Sequence, residues 1–141
     1  MSVEMVVFVR KERMVSPIEW QDAISKNGFA MEIDTVFDVE EFSGFLPCKY
    51  KGKEAGFEYY YQKLGNDIED DIRQHIADRD IAVVFVTHSD FRELMTSVIA
   101  VGVLSAITDG VIYDTEAGEF TQANAALDWA KTGEKSISEE L

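Results

Sequence analysis

The chain is predicted to form an α+β domain of ferredoxin-like character, a sandwich with helices on one face of a mostly antiparallel sheet. The main observation is a short repeat: the segment VVFV occurs at residues 6–9 and again at 83–86. Each copy is followed by a helix start, a polar residue with glycine, and a strand ending in aspartate (MEID, VIYD). Two β-α-β units of this kind, with an added hairpin, give the predicted sandwich.

The first unit begins with an apolar, β-rich strand at residues 3–10 and continues into a clearly delimited helix. Ser16 is the expected N-cap, Pro17 takes the first helical position, and Glu19 completes a capping box. Asn27-Gly28 provides a left-handed stop. We expect the next strand at residues 31–37.

A hairpin is predicted at residues 42–62, with its turn at 51–53. Pro47 indicates that the first strand of the hairpin lies at a sheet edge or begins there. In the second strand, alternation sends side chains to opposite faces. One face is expected to carry Phe57, Tyr59 and Tyr61, and the other Glu58, Tyr60 and Gln62.

The remaining elements are predicted from the spacing of apolar residues and from the capping and turn residues between them. Residues 66–69 open a second helix, in which Ile68, Ile72 and Ile76 form one apolar stripe. A buried strand, a long helix, a short strand and a last helix are expected at 81–87, 91–107, 111–113 and 122–131. Thr121 is the expected cap of the last helix and Gly133 its stop. Residues 1–133 therefore form one predicted domain, and residues 134–141 a flexible acidic tail.

The composition is strongly acidic, because 27 Asp and Glu residues against 13 Lys and Arg residues give a formal net charge of −14. Such a field repels nucleic-acid backbones and anionic membranes, and it speeds the encounter with basic surfaces. We therefore expect no nucleic-acid or membrane binding and a partner with a basic surface. Solubility is an alternative explanation of the same charge.

No cofactor or metal is predicted. Cys48 is the single cysteine and is interpreted as a small buried hydrophobic residue; with His75 and His88 it does not supply a zinc site. Glycine-rich phosphate loops do not occur. The N-terminus lacks the pattern of a secretory signal, and the apolar run at 95–107 is too short to cross a bilayer, so a cytoplasmic location is expected.

The segment THSD at residues 87–90 places a histidine, a serine and an aspartate at the end of a strand, as a catalytic centre would. Asp90 and Glu93, however, are spaced as a second capping box. Adjacent residues on an extended chain also point in opposite directions, whereas nucleophilic catalysis needs them to converge. A strand-to-helix junction is therefore the favoured interpretation, and no catalytic residue is predicted. His88 is left as a residue that lines a groove.

Carboxylates are too abundant for any one of them to indicate a metal site. Glu32 and Asp34 alternate with apolar residues, which is typical of the solvent face of a strand. Tyr60 shares its predicted face with Glu58, and tyrosine is enriched where proteins dock. Tyr60 is therefore the candidate anchor for a partner, and core packing is the alternative for the aromatic cluster as a whole.

Four segments together resemble a group of small acidic bacterial immunity proteins from polymorphic toxin loci, including those of type VI secretion and Rhs-like effectors. The segments are FSGFLPC at 42–48, GFEYYY at 56–61, THSDFREL at 87–94 and DGVIYDTEAGEF at 109–120. The resemblance implies a cytosolic protein that binds a cognate toxin and blocks its active site or its substrate access. It assigns no chemical role to any of these motifs.

The expected partner-binding residues combine this resemblance with the charge. They are Glu40, Glu41, Asp70 and Asp71 as acidic contacts, Tyr60 as an anchor, and His88. Two alternatives stay open: a small-ligand-binding or regulatory module, and a hydrolase that uses His88 and nearby carboxylates. The sequence also leaves open whether the chain forms a homodimer.

Overall fold

Seven strands form one sheet in the computed structural model, which describes residues 2–141. The strands are β1 (Ser2–Val9), β2 (Met31–Ile33), β3 (Gly44–Tyr50), β4 (Lys53–Lys63), β5 (Ile81–His88), β6 (Val111–Asp114) and β7 (Glu119–Gln122). The helices are α1 (Pro17–Lys26), α2 (Asp70–Ile76), α3 (Phe91–Thr108) and α4 (Ala123–Ser138). The strand order is β2-β3-β4-β5-β1-β6-β7, and every described pair is antiparallel. The predicted α+β class is confirmed, with more strands than a ferredoxin-like sheet has.

The two copies of VVFV lie side by side at the centre of the sheet. Val6 pairs with Val84, and Val7 pairs with Val83, in the antiparallel ladder between β1 and β5. Val7 and Val83 pack on one face of the sheet, whereas Val6 and Val84 pack on the other. The continuous apolar runs therefore reflect strands that are buried on both faces.

The inner face of the sheet carries the main core. Helices α1 and α3 pack on this face, and α4 packs against α3. The Trp20 indole of α1 donates a hydrogen bond to the carbonyl oxygen of Ala100 at 3.1 Å, which ties α1 to α3. Among the described residues, α3 is the one helix with the length and apolar composition of a membrane span, and 67% of that window is buried within the protein.

The outer face of the sheet is covered in part by α2. Ile76 is buried there together with Val6, Phe8, Ala82 and Val84. The prediction that the helices share one face is therefore wrong for α2. The reason is that the central strands present apolar side chains on both sides, so the isoleucine stripe of α2 finds a second apolar surface. The rest of the outer face, on β2, β3 and the start of β4, carries no helix.

Several predicted element boundaries are confirmed. The capping box of α1 is present, because the Ser16 hydroxyl accepts from Glu19 N at 3.2 Å and Glu19 Oε1 accepts from Ser16 N at 3.1 Å. The β3–β4 hairpin turns at Lys51 and Gly52, which have φ of 50° and 78°, as a type I′ turn requires. Residues 57, 59 and 61 face the inner core, and Tyr60 faces the outer one, as alternation predicts.

Other boundaries differ from the prediction. β2 ends at Ile33 because the Asp34 side chain accepts from Val36 N at 2.8 Å and turns the chain. β3 begins at Gly44, so Pro47 lies inside it, and α2 begins at Asp70, after residues 66–69.

The last helix shows the largest differences. β7 was not predicted, and Gln122 is the N-cap of α4 where Thr121 was expected. The helix continues through Gly133 to Ser138, so the predicted tail of residues 134–141 begins inside it. Gly133 is a site of close packing, where a Cβ atom would lie 2.7 Å from Val98 Cγ1. The glycine is therefore explained by the approach of α4 to α3 and does not stop the helix.

Candidate functional site

The open part of the outer face contains a cavity of about 500 Å³ beside the β3–β4 hairpin. Phe45, Pro47 and Lys49 reach it because they alternate along β3 with the buried residues Leu46, Cys48 and Tyr50. The other lining residues are Glu32, Ile33, Asp34, Cys48, Glu54, Ala55 and Glu93. The cavity thus has an apolar floor and a rim that is mostly acidic.

Phe45 forms the aromatic part of this floor. Its side chain is 49% exposed, which is high for a phenylalanine. The ring lies next to Gly56 of β4, where a Cβ atom would be only 2.6 Å from Phe45 Cζ. The absence of a side chain at Gly56 therefore fixes where the ring of Phe45 lies.

The rim places four carboxylates around one lysine. Lys49 is in register with Glu32 on one neighbouring strand and with Glu54 on the other. Asp34 follows β2, and Glu93 comes from the first turn of α3. Burial raises the pKa of Glu93, and the nearby Asp90 and Glu58 carboxylates raise it further. The field at the cavity is therefore negative, and a cation there would stabilise the ionised form of Glu93.

Next to the cavity, Glu58 joins Tyr60 and His88 in one network. Glu58 is the cross-strand neighbour of Phe45. The Tyr60 hydroxyl donates to Glu58 Oε1 at 2.5 Å, and Glu58 Oε2 bonds His88 Nε2. The hydrogen bond from Tyr60 lowers the pKa of Glu58, with a further contribution from His88, and the same bond raises the pKa of Tyr60. The carboxylate is thus held ionised between two polar rings.

The chemistry available here is that of ion binding and proton exchange. His88 has a side chain that is 59% exposed, so its imidazole is accessible from solvent. Cys48, the residue with the most nucleophilic side chain near the cavity, is 4% exposed, and burial raises the pKa of its thiol. Among residues 2–141 there is no group of three or more His, Cys, Asp or Glu side chains placed to hold a metal ion.

The structure brings together two of the six sequence-predicted partner residues, Tyr60 and His88. Glu40 lies elsewhere: its carboxylate is 3.9 Å from Lys11 Nζ. Burial raises the pKa of Tyr61 to about 12, and Glu40 and Asp80 add to this, so Glu40 is near the Asp80 end of β5. His88 is at the other end, about 23 Å away at about 3.3 Å per residue.

Glu41 lies beside Glu40 in one loop, and the two aspartates lie on α2. The backbone N–H groups of Glu40 and Glu41 both donate to Asp38 Oδ1, at 2.9 and 3.2 Å, within the loop between β2 and β3. Asp70 and Asp71 are exposed in the first turn of α2. The predicted acidic contacts therefore lie on a loop and on α2, and none of them belongs to the network of Glu58, Tyr60 and His88.

Sequence reasoning missed Phe45, Glu54 and Glu93 as site residues. Alternation along FLPCKY was a signal that could have placed Phe45 on the solvent side. Glu93 was assigned to a capping box, and that assignment is half right. Asp90 Oδ1 accepts from Arg92 N at 2.9 Å and Glu93 N at 3.0 Å, whereas the Glu93 carboxylate turns to the cavity.

Comparison of the chain with models of known families, with curated proteins and with solved structures finds no match.

Proposed function

We propose that this chain is a cytosolic immunity protein that binds a cognate toxin and neutralises it by blocking its active site or substrate access. The observation that carries the proposal is the open, acidic cavity with the half-exposed ring of Phe45 in its floor. Aromatic side chains, phenylalanine among them, are enriched where proteins dock, and the acidic rim adds charge complementarity to a basic partner.

The charge supports the same function. A formal net charge of −14 accelerates the capture of a basic partner, and a toxin that cleaves nucleic acid has a basic substrate groove. An inhibitor that occupies such a groove needs complementary charge and shape and no catalytic residues of its own. Tyr60 and His88, which adjoin the cavity through Glu58, extend the proposed contact surface.

The finer fold assignment is part of the proposal. We propose that β4, β5, β1 and β6, which are neighbours in that order, form a ferredoxin-like core with α1 and α3. β2 and β3 extend this core on one side, and β7 extends it on the other. The cavity then lies where this extension meets the core: β2, β3 and Asp34 supply most of its lining, and Glu54, Ala55 and Glu93 come from β4 and α3.

The test is to express the tagged chain in a bacterium that carries its gene, identify the bound protein, and purify both. We expect a one-to-one complex, an affinity that falls as salt rises from about 0.05 M to about 0.5 M, and rescue of growth when the chain is co-expressed with the partner. A partner that is not toxic, or binding that does not change with salt, would contradict the proposal.

Two alternative functions rest on particular observations. A cavity of about 500 Å³ has the size of a small-molecule site, which favours a ligand-binding or regulatory module. The accessible His88–Glu58 pair favours a hydrolase. The His88→Ala variant separates these from immunity: unchanged protection with unchanged folding excludes the hydrolase, and a metabolite that co-purifies in place of a protein supports the module.

A further inference from the structure

We propose, building on the proposed function, that the cavity binds an arginine side chain carried on an extended segment of the partner. The guanidinium group lies on the ring of Phe45 and is bonded by the surrounding carboxylates.

The occupant is a cation because of the charges around the cavity. Four carboxylates line it, on Glu32, Asp34, Glu54 and Glu93, against the single ammonium group of Lys49. Glu58, which belongs to the adjoining network, adds a fifth negative charge. These carboxylates repel one another, and a cation that enters the cavity is attracted by all of them and offsets that repulsion. An anionic or neutral occupant does not have this effect.

The occupant is a guanidinium because of the floor. Phe45 and Pro47 present an aromatic ring and an apolar ring below the carboxylates. Guanidinium is planar, stacks on aromatic faces, is less strongly hydrated than ammonium, and pairs with carboxylates in a bidentate manner. A metal ion does not suit this site, because the carboxylates of residues 2–141 form no convergent group of ligands.

The occupant is part of a protein segment because of the open strand edge next to the cavity. β2 pairs with β3 only over Cys48–Tyr50, and the last hydrogen bond on this side joins Asp34 N to Pro47 O at 3.0 Å. The Pro47 carbonyl group points towards β2, and peptide groups two residues apart in a strand point to the same side. The peptide groups of Phe45 therefore also point to that side, beyond the end of β2. An extended segment can add there by strand pairing.

A second copy of this chain is a poor occupant. Each copy carries a net charge of −14, so two acidic surfaces would repel each other. An arginine on a basic partner satisfies the charge, the floor and the open edge together.

The probe is a blocked five-residue peptide, Val-Thr-Arg-Thr-Val, added to the isotope-labelled protein and followed by NMR. We expect amide shift changes centred on Phe45, Ala55 and Glu93, and a dissociation constant that rises about tenfold or more in the double variant E54Q/E93Q. The matched control is E116Q/E119Q, which removes the same charge at exposed positions by β7, at the far edge of the sheet; it should change the constant by less than about twofold.

Three results would overturn the inference. In the first, the peptide with glutamine in place of arginine binds as tightly as the arginine peptide, which shows that the positive charge is not recognised. In the second, blocked argininamide binds as tightly as the peptide, which makes the occupant a small ligand. Magnesium or calcium chloride produces the same shifts at equal concentration, which makes it a metal ion. The variant F45A tests whether the ring of Phe45 contributes to binding. Because Phe45 is half-exposed, the core stays intact: peptide binding should weaken while the melting temperature stays close to that of the parent chain.

The two proposals fail separately. If an identified toxin binds the parent chain and E54Q/E93Q equally well, the arginine site is wrong and the immunity function stands. If the arginine peptide binds as expected but the partner found in the cell is not toxic, the immunity function is wrong and the arginine site stands.

Discussion

The ring of Phe45 lies against the backbone of Gly56 across the β3–β4 hairpin. A Cβ atom at Gly56 would lie 2.6 Å from Phe45 Cζ and 2.4 Å from the carbonyl oxygen of Leu46. Gly56 also has a φ of 145°, a conformation that residues with a side chain rarely adopt. Glycine thus permits both the backbone bend and the position of the ring, and the cavity floor depends on this pair.

Gly56→Ala should therefore destabilise the fold and displace Phe45. We expect a loss of about 3 kcal/mol in the free energy of unfolding, from backbone strain and from a contact with Leu46 that cannot relax. Urea unfolding measures the loss, and the amide shift of Phe45 reports the displacement.

The matched control is Gly118→Ala. Gly118 has a φ of 68°, but a Cβ atom there would meet nothing within 4 Å. It should lose only about 1 kcal/mol, the cost of the left-handed conformation. Equal losses at the two positions would show that the contact with Leu46 and Phe45 has no energetic effect.

Glu93→Gln should stabilise the fold while it weakens binding at the cavity. Burial, Asp90 and Glu58 raise the pKa of Glu93 in the folded state, so its ionised form is disfavoured there. The variant should be the more stable protein at neutral pH, and its advantage should shrink as the pH falls through the raised pKa towards the ordinary value.

Thermal unfolding of the parent chain and of this variant between neutral and acidic pH measures the effect. Glu116→Gln, at an exposed site, serves as the control and should show no such pH-dependent gain. A Glu93→Gln variant that is less stable than the parent chain at neutral pH would mean that the carboxylate is needed to hold the start of α3.

Tyr60→Phe should raise the pKa of Glu58 towards its ordinary value, because the bond from Tyr60 is the main cause that lowers it. A lowered pKa contributes stability above the ordinary pKa of glutamate, and this is lost as the pH falls through the folded value. The variant should therefore be less stable than the parent chain at neutral pH, and this difference should disappear as the pH falls through the folded-state pKa of Glu58. Carbon NMR titration of the Glu58 carboxyl measures the shift.

His88→Ala provides the comparison for this titration, since His88 is the second cause of the lowered pKa. It should also raise the pKa of Glu58, because the hydrogen bond and the electrostatic attraction of His88 both lower that pKa. An unchanged pKa in this variant would indicate that Tyr60 alone holds the carboxylate ionised.

Local signals predicted the secondary structure well where neighbouring residues determine it. The cap of α1 at Ser16 and Glu19, and the hairpin turn at Lys51 and Gly52, depend on bonds within a few residues. Gly133 was misread because its cause is distant: it lies against Val98 of another helix. The position of α2 on the outer face also depends on tertiary packing, which the spacing of apolar residues along the helix does not specify.

The candidate site shows the same division. Alternation predicted that Tyr60 and Glu58 share a face, and the structure joins them by a hydrogen bond. The cavity brings together residues from β2, β3, β4 and α3, and no pattern of spacing in the sequence predicts that these elements meet there. Glu93 fits the spacing of a capping box, and nothing in the sequence around it indicates that it also lines the cavity.

The contact between α3 and α4 provides the last prediction. A Cβ atom at Gly102 would lie 2.5 Å from Ala130 Cβ and 3.0 Å from the carbonyl oxygen of Ala126. Gly102→Ala should therefore lose about 2 kcal/mol, since overpacking outweighs the better helix propensity of alanine. The second variant, Ala130→Gly, removes the opposing methyl group and should lose about 1 kcal/mol alone.

Because Ala130→Gly removes the methyl group that Gly102→Ala would clash with, the double variant should be more stable than the sum of the two losses predicts, by about 1 kcal/mol or more. Urea unfolding of the four proteins measures this coupling. Strict additivity would place α4 farther from α3 than a direct contact allows, and Gly102 would then be explained by the Ala126 carbonyl alone.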